Sequence, residues 1–143
     1  MLTFAVLKLH KMEKEFVPQE QALALKELGF DEECFSYVKH LGYDKNKDKV
    51  QILSRVSRSQ IEDMGLSLLK IPTFSQAFRW FREKYNIIPN IHSIYTDETH
   101  TKVEFWFWFV NYEDDSDKEI FYSSYEEAEL ECLKKLIEIV KEK

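Results

Sequence analysis

Two hydrophobic rhythms organise this chain, one of helical period and one of strand period. From Pro18 to Leu28 the apolar residues Ala22, Leu25 and Leu28 recur at the spacing of one helix face. Pro18 suits the first turn, where a missing N–H does no harm. Gly29 supplies the left-handed residue that ends such a helix, and Phe30 is placed to pack back on its last turn. Cys34 to Val38 reads as a strand and Val50 to Val56 as its return. Between them, residues 39–49 are rich in Lys, Asp and Asn, the composition of an exposed hairpin or loop. The pattern is weakest over residues 57–71, where Ser59 to Asp63 suits a helical turn while Gly65 and Pro72 interrupt anything longer.

From Thr73 the pattern sharpens. Thr73 to Gln76 has the form of a capping box, in which a hydroxyl satisfies one orphan amide and Gln76 reaches back. Phe74, Ala77, Phe78, Phe81 and Tyr85 then make one apolar helical stripe, with Arg79 and Arg82 toward water. After Asn86 and Pro89, Ile91 to Tyr95 reads as a strand, and the segment around Asp97 to His100 as a turn. The next strand, Val103 to Val110, does not alternate as a half-buried strand does: after Glu104 both of its faces are apolar or aromatic. Phe105, Phe107 and Phe109 share one face, and Trp106 and Trp108 share the other. An acidic loop from Glu113 to Asp117 leads to a short third strand, Glu119 to Tyr122. Ser124 to Glu127 is a second capping box and opens a helix carrying Ala128, Cys132, Leu133, Leu136, Ile137 and Val140. Its acidic residues come early and Lys134, Lys135 and Lys141 late, as the helix dipole favours.

These elements predict an α+β fold, an antiparallel sheet with helices packed on one face, in a single domain over residues 1–143. Within it, residues 1–11 are peripheral, 12–71 form a helix plus a β-hairpin, and 73–143 form an α-β-β-β-α unit. The first half either extends the sheet or covers its far side. Met12 stands as an alternative start, since the clear signals begin after it.

Charge and composition then narrow the function classes. The formal charge of −6 sets an average field that repels nucleic acid and anionic membranes. Cys34 and Cys132 are too few for a disulfide scaffold and do not form a zinc pattern, so both are expected reduced and buried, as in a cytoplasmic protein. The first residues carry no basic lead and no small-residue cleavage site, so no signal peptide is expected. No apolar run approaches the roughly 20 residues that cross a bilayer.

Two resemblances follow from these segments. Helix, three antiparallel strands and helix over about the last half of the chain resembles the double-stranded-RNA-binding domain in element order and length. That family contacts RNA through a basic cluster at the start of its last helix. Here the corresponding residues, Ser124 to Glu129, are acidic, so the resemblance implies the fold without the RNA function. A second resemblance lies in three blocks, Gln21 to Asp31, Phe74 to Tyr85 and Tyr125 to Val140. They look like a small uncharacterised protein family of Bacteroidota genomes and their phages and prophages. The resemblance implies a bacterial or mobile-element origin and carries no mechanism.

Candidate chemistry is sparse. His10, His40, His92 and His100 show no paired spacing, and a composite metal site from Cys34 and His40 is outweighed by a buried thiol beside a loop histidine. Gly29, Gly42 and Gly65 are too dispersed for a phosphate-cradling loop, and no nucleophile elbow occurs. The Glu113 to Asp117 run lacks the central glycine and alternating ligands of a calcium loop. No catalytic residue, metal or cofactor is therefore expected. The aromatic strand is the better lead. Trp106 and Trp108 are either covered by residues 12–71 or left as an exposed patch, and exposed tryptophans mark interaction sites. Trp80, beside Arg79 and Arg82, is a second candidate surface, or an indole stacked by an arginine for structural reasons. The expected function is a non-enzymatic protein-interaction module with an unidentified protein partner, a second copy of the chain being eligible. The alternative is nucleic-acid binding through a divergent form of the RNA-binding fold, using Arg79, Arg82 and Lys84.

Overall fold

The computed structural model describes residues 14–34, 36–39, 50–52, 68–113 and 120–143. The chain divides into two compact units, Met1–Thr73 and Phe74–Lys143. The boundary falls between Thr73 and Phe74, where the helical rhythm restarts.

In the first unit, helix α1 spans Gln19–Glu27. Pro18 stands just before it in an extended conformation, and its carbonyl accepts the Ala22 N–H at 2.9 Å. At the far end Gly29 takes φ 96°, a backbone that a Cβ would disfavour. The Phe30 N–H then reaches the Leu25 carbonyl and the Gly29 N–H the Lys26 carbonyl, both at 3.0 Å. These paired bonds form a Schellman ending, and Leu25 and Phe30 are both buried, as the ending requires.

Strand β1, Ser36–Lys39, lies between β2, Val50–Ile52, and β3, Leu68–Ile71, with antiparallel pairing on both sides. Tyr37 stands opposite Gln51 on one side and Lys70 on the other. β3 is a strand that the chain's own pattern did not announce. Four residues before a proline are too few to show a period, and it is the pairing with β1 that fixes them. Helix α1 packs on β3, burying Ala22 and Leu25 with Leu69 and Ile71. Lys70 closes the edge by an ion pair of 2.6 Å with Asp31. β1 also starts at Ser36 rather than at Cys34, which remains just outside the ladder. The 40–49 loop, the second half of the Val50 to Val56 strand, the Ser59 to Asp63 turn and the peripheral residues 1–11 lie outside the described residues.

In the second unit, helix α2 spans Phe74–Tyr85, with Phe74, Ala77, Trp80 and Phe81 buried. The buried stripe thus includes Trp80, whereas Phe78 and Tyr85 are only half-buried. Asn86, at φ 55°, turns the chain and donates its N–H to the Arg82 carbonyl at 3.1 Å. Asparagine tolerates this left-handed backbone better than most residues. β4, Ile88–Tyr95, and β5, Val103–Val110, form an antiparallel hairpin in full register. β4 begins three residues before the expected Ile91 and runs through Pro89, which an edge strand tolerates.

The expected third strand is reduced to a single bridge. The Phe105 N–H donates to the Tyr122 carbonyl at 2.8 Å and the Tyr122 N–H returns to Phe105 at 2.7 Å. Ile120 and Phe121 before it are exposed, and Ser123 and Ser124 after it already lead into helix α3, Tyr125–Lys141. Most of the acidic loop, residues 114–119, lies outside the described residues. The Ser124 hydroxyl accepts the Glu127 N–H at 3.2 Å, while the Glu127 carboxylate accepts the Ser123 hydroxyl at 3.0 Å. The fold is α+β, and the second unit keeps the order α-β-β-β-α with a one-residue third β segment. No described helix is long and apolar enough to cross a membrane.

Candidate functional site

The β4–β5 register decides which side chains meet, because residues directly opposite in an antiparallel pair share a face. Ser93 opposes Phe105, Ile91 opposes Phe107 and Pro89 opposes Phe109 on one face. On this side the Phe105 ring meets Tyr125 of α3 edge-on at 5.8 Å, and Phe107 stacks on Tyr122 at 5.9 Å. Phe109 is buried, so the phenylalanine face is the one that packs toward the unit's own core. Burial, with some repulsion from Glu131 and Glu127, raises the Tyr122 phenol above its ordinary range.

The opposite face carries Asn90 across from Trp108, His92 across from Trp106 and Ile94 across from Glu104. Here Trp108 retains 43% of its surface and Ile94 44%, while Trp106 is half-buried. The Trp108 indole N–H donates to His92 Nε2 at 2.7 Å. That bond uses the Nε2 lone pair of the imidazole as its acceptor. The His92 ring lies 6.0 Å from Trp108 at an angle of 13° and 5.3 Å from Trp106 at 29°. At the end of the face, the Lys102 ammonium pairs with Glu104 at 2.7 Å, which raises the lysine above its ordinary range. The two tryptophans read from the sequence therefore come together, joined by a histidine that sequence reasoning did not select. His92 could have been found only by fixing the hairpin register, which pairs it with Trp106.

The loop that sets this register is anchored by Asp97. Its carboxylate accepts the Thr101 N–H at 2.9 Å and the Lys102 N–H at 2.7 Å, together with the hydroxyls of Thr99 and Thr101. The two hydroxyls, Thr101 first, hold the carboxyl far below the usual range. The Thr96 N–H closes the loop on the Lys102 carbonyl at 3.0 Å. An aspartate followed by threonines two and four residues on was the available signal for this anchor.

The second surface read from the sequence is different in kind. Trp80 is 7% exposed, edge-on to Phe81 at 5.0 Å and to Tyr85 at 5.5 Å. It is a packing residue of α2 and does not present an open indole, because the helix turns it to the same side as Ala77 and Phe81. The Lys84 ammonium stands 4.9 Å over its ring, a cation–π contact at the edge of that packing. Arg79 and Arg82 are exposed on the same helix.

Both cysteines are buried and outside any disulfide. Burial pushes the Cys34 thiol up to about 12 and raises Cys132 as well, so neither is a nucleophile at neutral pH. Among the described residues no group of His, Cys, Asp and Glu could hold a metal ion. Compared with protein families, curated proteins and solved structures, the chain finds no match.

Proposed function

We propose that this protein is a non-enzymatic interaction module, of bacterial or phage origin, that binds another protein through the tryptophan face of the β4–β5 hairpin. The observation that carries the reading is the partition of the rings in β5. Phe109 is buried and Phe105 and Phe107 are half-buried against Tyr125 and Tyr122, while Trp108, Ile94 and His92 stay in contact with solvent. Tryptophan is over-represented among residues that dominate binding energy, and a rigid strand holds it at little entropic cost. The origin rests on the resemblance of three sequence blocks to the Bacteroidota and phage family.

The test is affinity capture from a Bacteroidota lysate with the wild-type chain and with Trp108→Ala, Trp106→Ala and Arg82→Ala. A protein retained by wild type and Arg82→Ala but lost with Trp108→Ala supports the reading. Recovery of the same proteins by all four baits overturns it. Nucleic acid recovered in a manner that depends on Arg79 and Arg82 would install the alternative instead.

A further inference from the structure

We infer that the tryptophan face receives an arginine-bearing segment of a basic partner, the guanidinium lying flat on a platform made by His92 and Trp108. The inference rests on the interaction-module reading and names the chemistry of its partner. It begins from the ring geometry. An indole N–H points within its own ring plane. A 2.7 Å bond from it to His92 Nε2, between rings inclined by 13° with centroids 6.0 Å apart, sets the rings side by side in nearly one plane. Rings stacked one above the other could not make that bond. Trp106 flanks the histidine at 5.3 Å and a modest 29° tilt. The result is a flat π surface wider than one ring, held by the pairing of two strands.

Three properties of this surface select a guanidinium. First, it is flat and broad, and the planar cation stacks on aromatic faces where a compact ammonium gains less. Second, the Trp108 N–H is already engaged by His92, so the indole offers its π face and not an open donor for an anion. Third, the charge of the unit is complementary. Residues Phe74–Lys143 contain fifteen acidic and nine basic residues, so the whole net charge of −6 resides in this unit. Glu104 stands on the same face as the indoles, held at 2.7 Å by Lys102, whose side chain is 67% exposed. An arriving arginine can take over that carboxylate through two parallel bonds where the lysine offers a point charge. Exposed Ile94, opposite Glu104, supplies an apolar bed for the aliphatic stem of the arginine.

The test follows the indole N–H resonances of the full chain by NMR while blocked Gly-Ser peptides are added, bearing three arginines, three lysines or three glutamates, or an oligo-dT strand. The expected result is a selective shift of the Trp108 indole signal by the arginine peptide, with binding about threefold tighter than for the lysine peptide. Trp108→Ala should abolish the binding, and Glu104→Gln, which leaves every ring in place, should weaken it about threefold. Equal response to arginine and lysine, a response to glutamate or oligo-dT instead, or an unchanged arginine affinity in Glu104→Gln overturns the inference. The interaction-module reading fails separately. If lysate capture yields a Trp108-dependent partner whose binding segment is acidic or apolar, that reading stands and the arginine inference falls.

Discussion

Asp97 organises its hairpin loop as a set of acceptors, taking two backbone amides and two threonine hydroxyls. Because the folded carboxyl lies below its unfolded value, it contributes stability above the ordinary carboxylate range and loses it only in strong acid. Asp97→Asn keeps one acceptor oxygen and loses the charge. Its urea midpoint should fall below wild type at neutral pH, and the gap should close as pH drops through the folded value. Hydrogen exchange at Thr101 and Lys102 should quicken in the same variant. The thiols give the opposite sign: burial lifts both, so at neutral pH they are protonated in the folded and the unfolded chain and add no pH dependence there. A disulfide reagent should therefore label both slowly in native buffer and fast in urea, with Cys34 ahead of the fully buried Cys132. Equal native rates for the two would contradict this. The burial of Cys34 and Cys132 could be read from the sequence, since two cysteines without a disulfide or zinc pattern are expected reduced and buried. The role of His92 could not, because it depends on which residue of a facing strand lies opposite.

At the scale of elements, the helices were the most legible. Each carries its signals within a few residues: Gly29 and Phe30 at the end of α1, Ser124 and Glu127 at the start of α3. Ser124→Ala should cost about 1 kcal/mol, read as a lowered urea midpoint with an unchanged slope, and Ser124→Asp should recover most of it. The strands were less legible in proportion to how far their stability comes from partners. β5 announces itself by six consecutive apolar residues, Phe105 to Val110, ended by Asn111. β3 announces nothing, since four residues ending at Ile71 are held by pairing with β1 and by the packing of α1. The third β segment is shorter than its apolar residues Ile120 to Tyr122 suggest: among the described residues Tyr122 is the one that pairs, with Phe105.

At the scale of the whole chain, charge is unevenly distributed. The first unit balances eleven basic against eleven acidic residues, and the second carries the full deficit. The α-β-β-β-α order of the second unit is thus paired with a field opposed to phosphate, and α3 starts with Glu126 and Glu127. Duplex RNA at low salt, where electrostatic attraction is strongest, should leave the chain unshifted on a gel. A salt-sensitive shift weakened by Arg79→Ala would restore the nucleic-acid alternative. Which unit bears the charge was legible in the sequence once the break at Pro72 was placed. Which face of β5 meets solvent was not, because phenylalanine and tryptophan are equally apolar in a pattern and only packing against Tyr122 and Tyr125 separates them. The doubled apolar character of β5 has a consequence for handling as well. Released from its hairpin, Val103–Val110 is a short segment of high β-propensity with a single charge, Glu104, the composition of a self-stacking cross-β spine. Heating should therefore drive unfolded chains into aggregates faster than they refold, so the apparent melting temperature becomes a kinetic quantity that moves with scan rate and protein concentration.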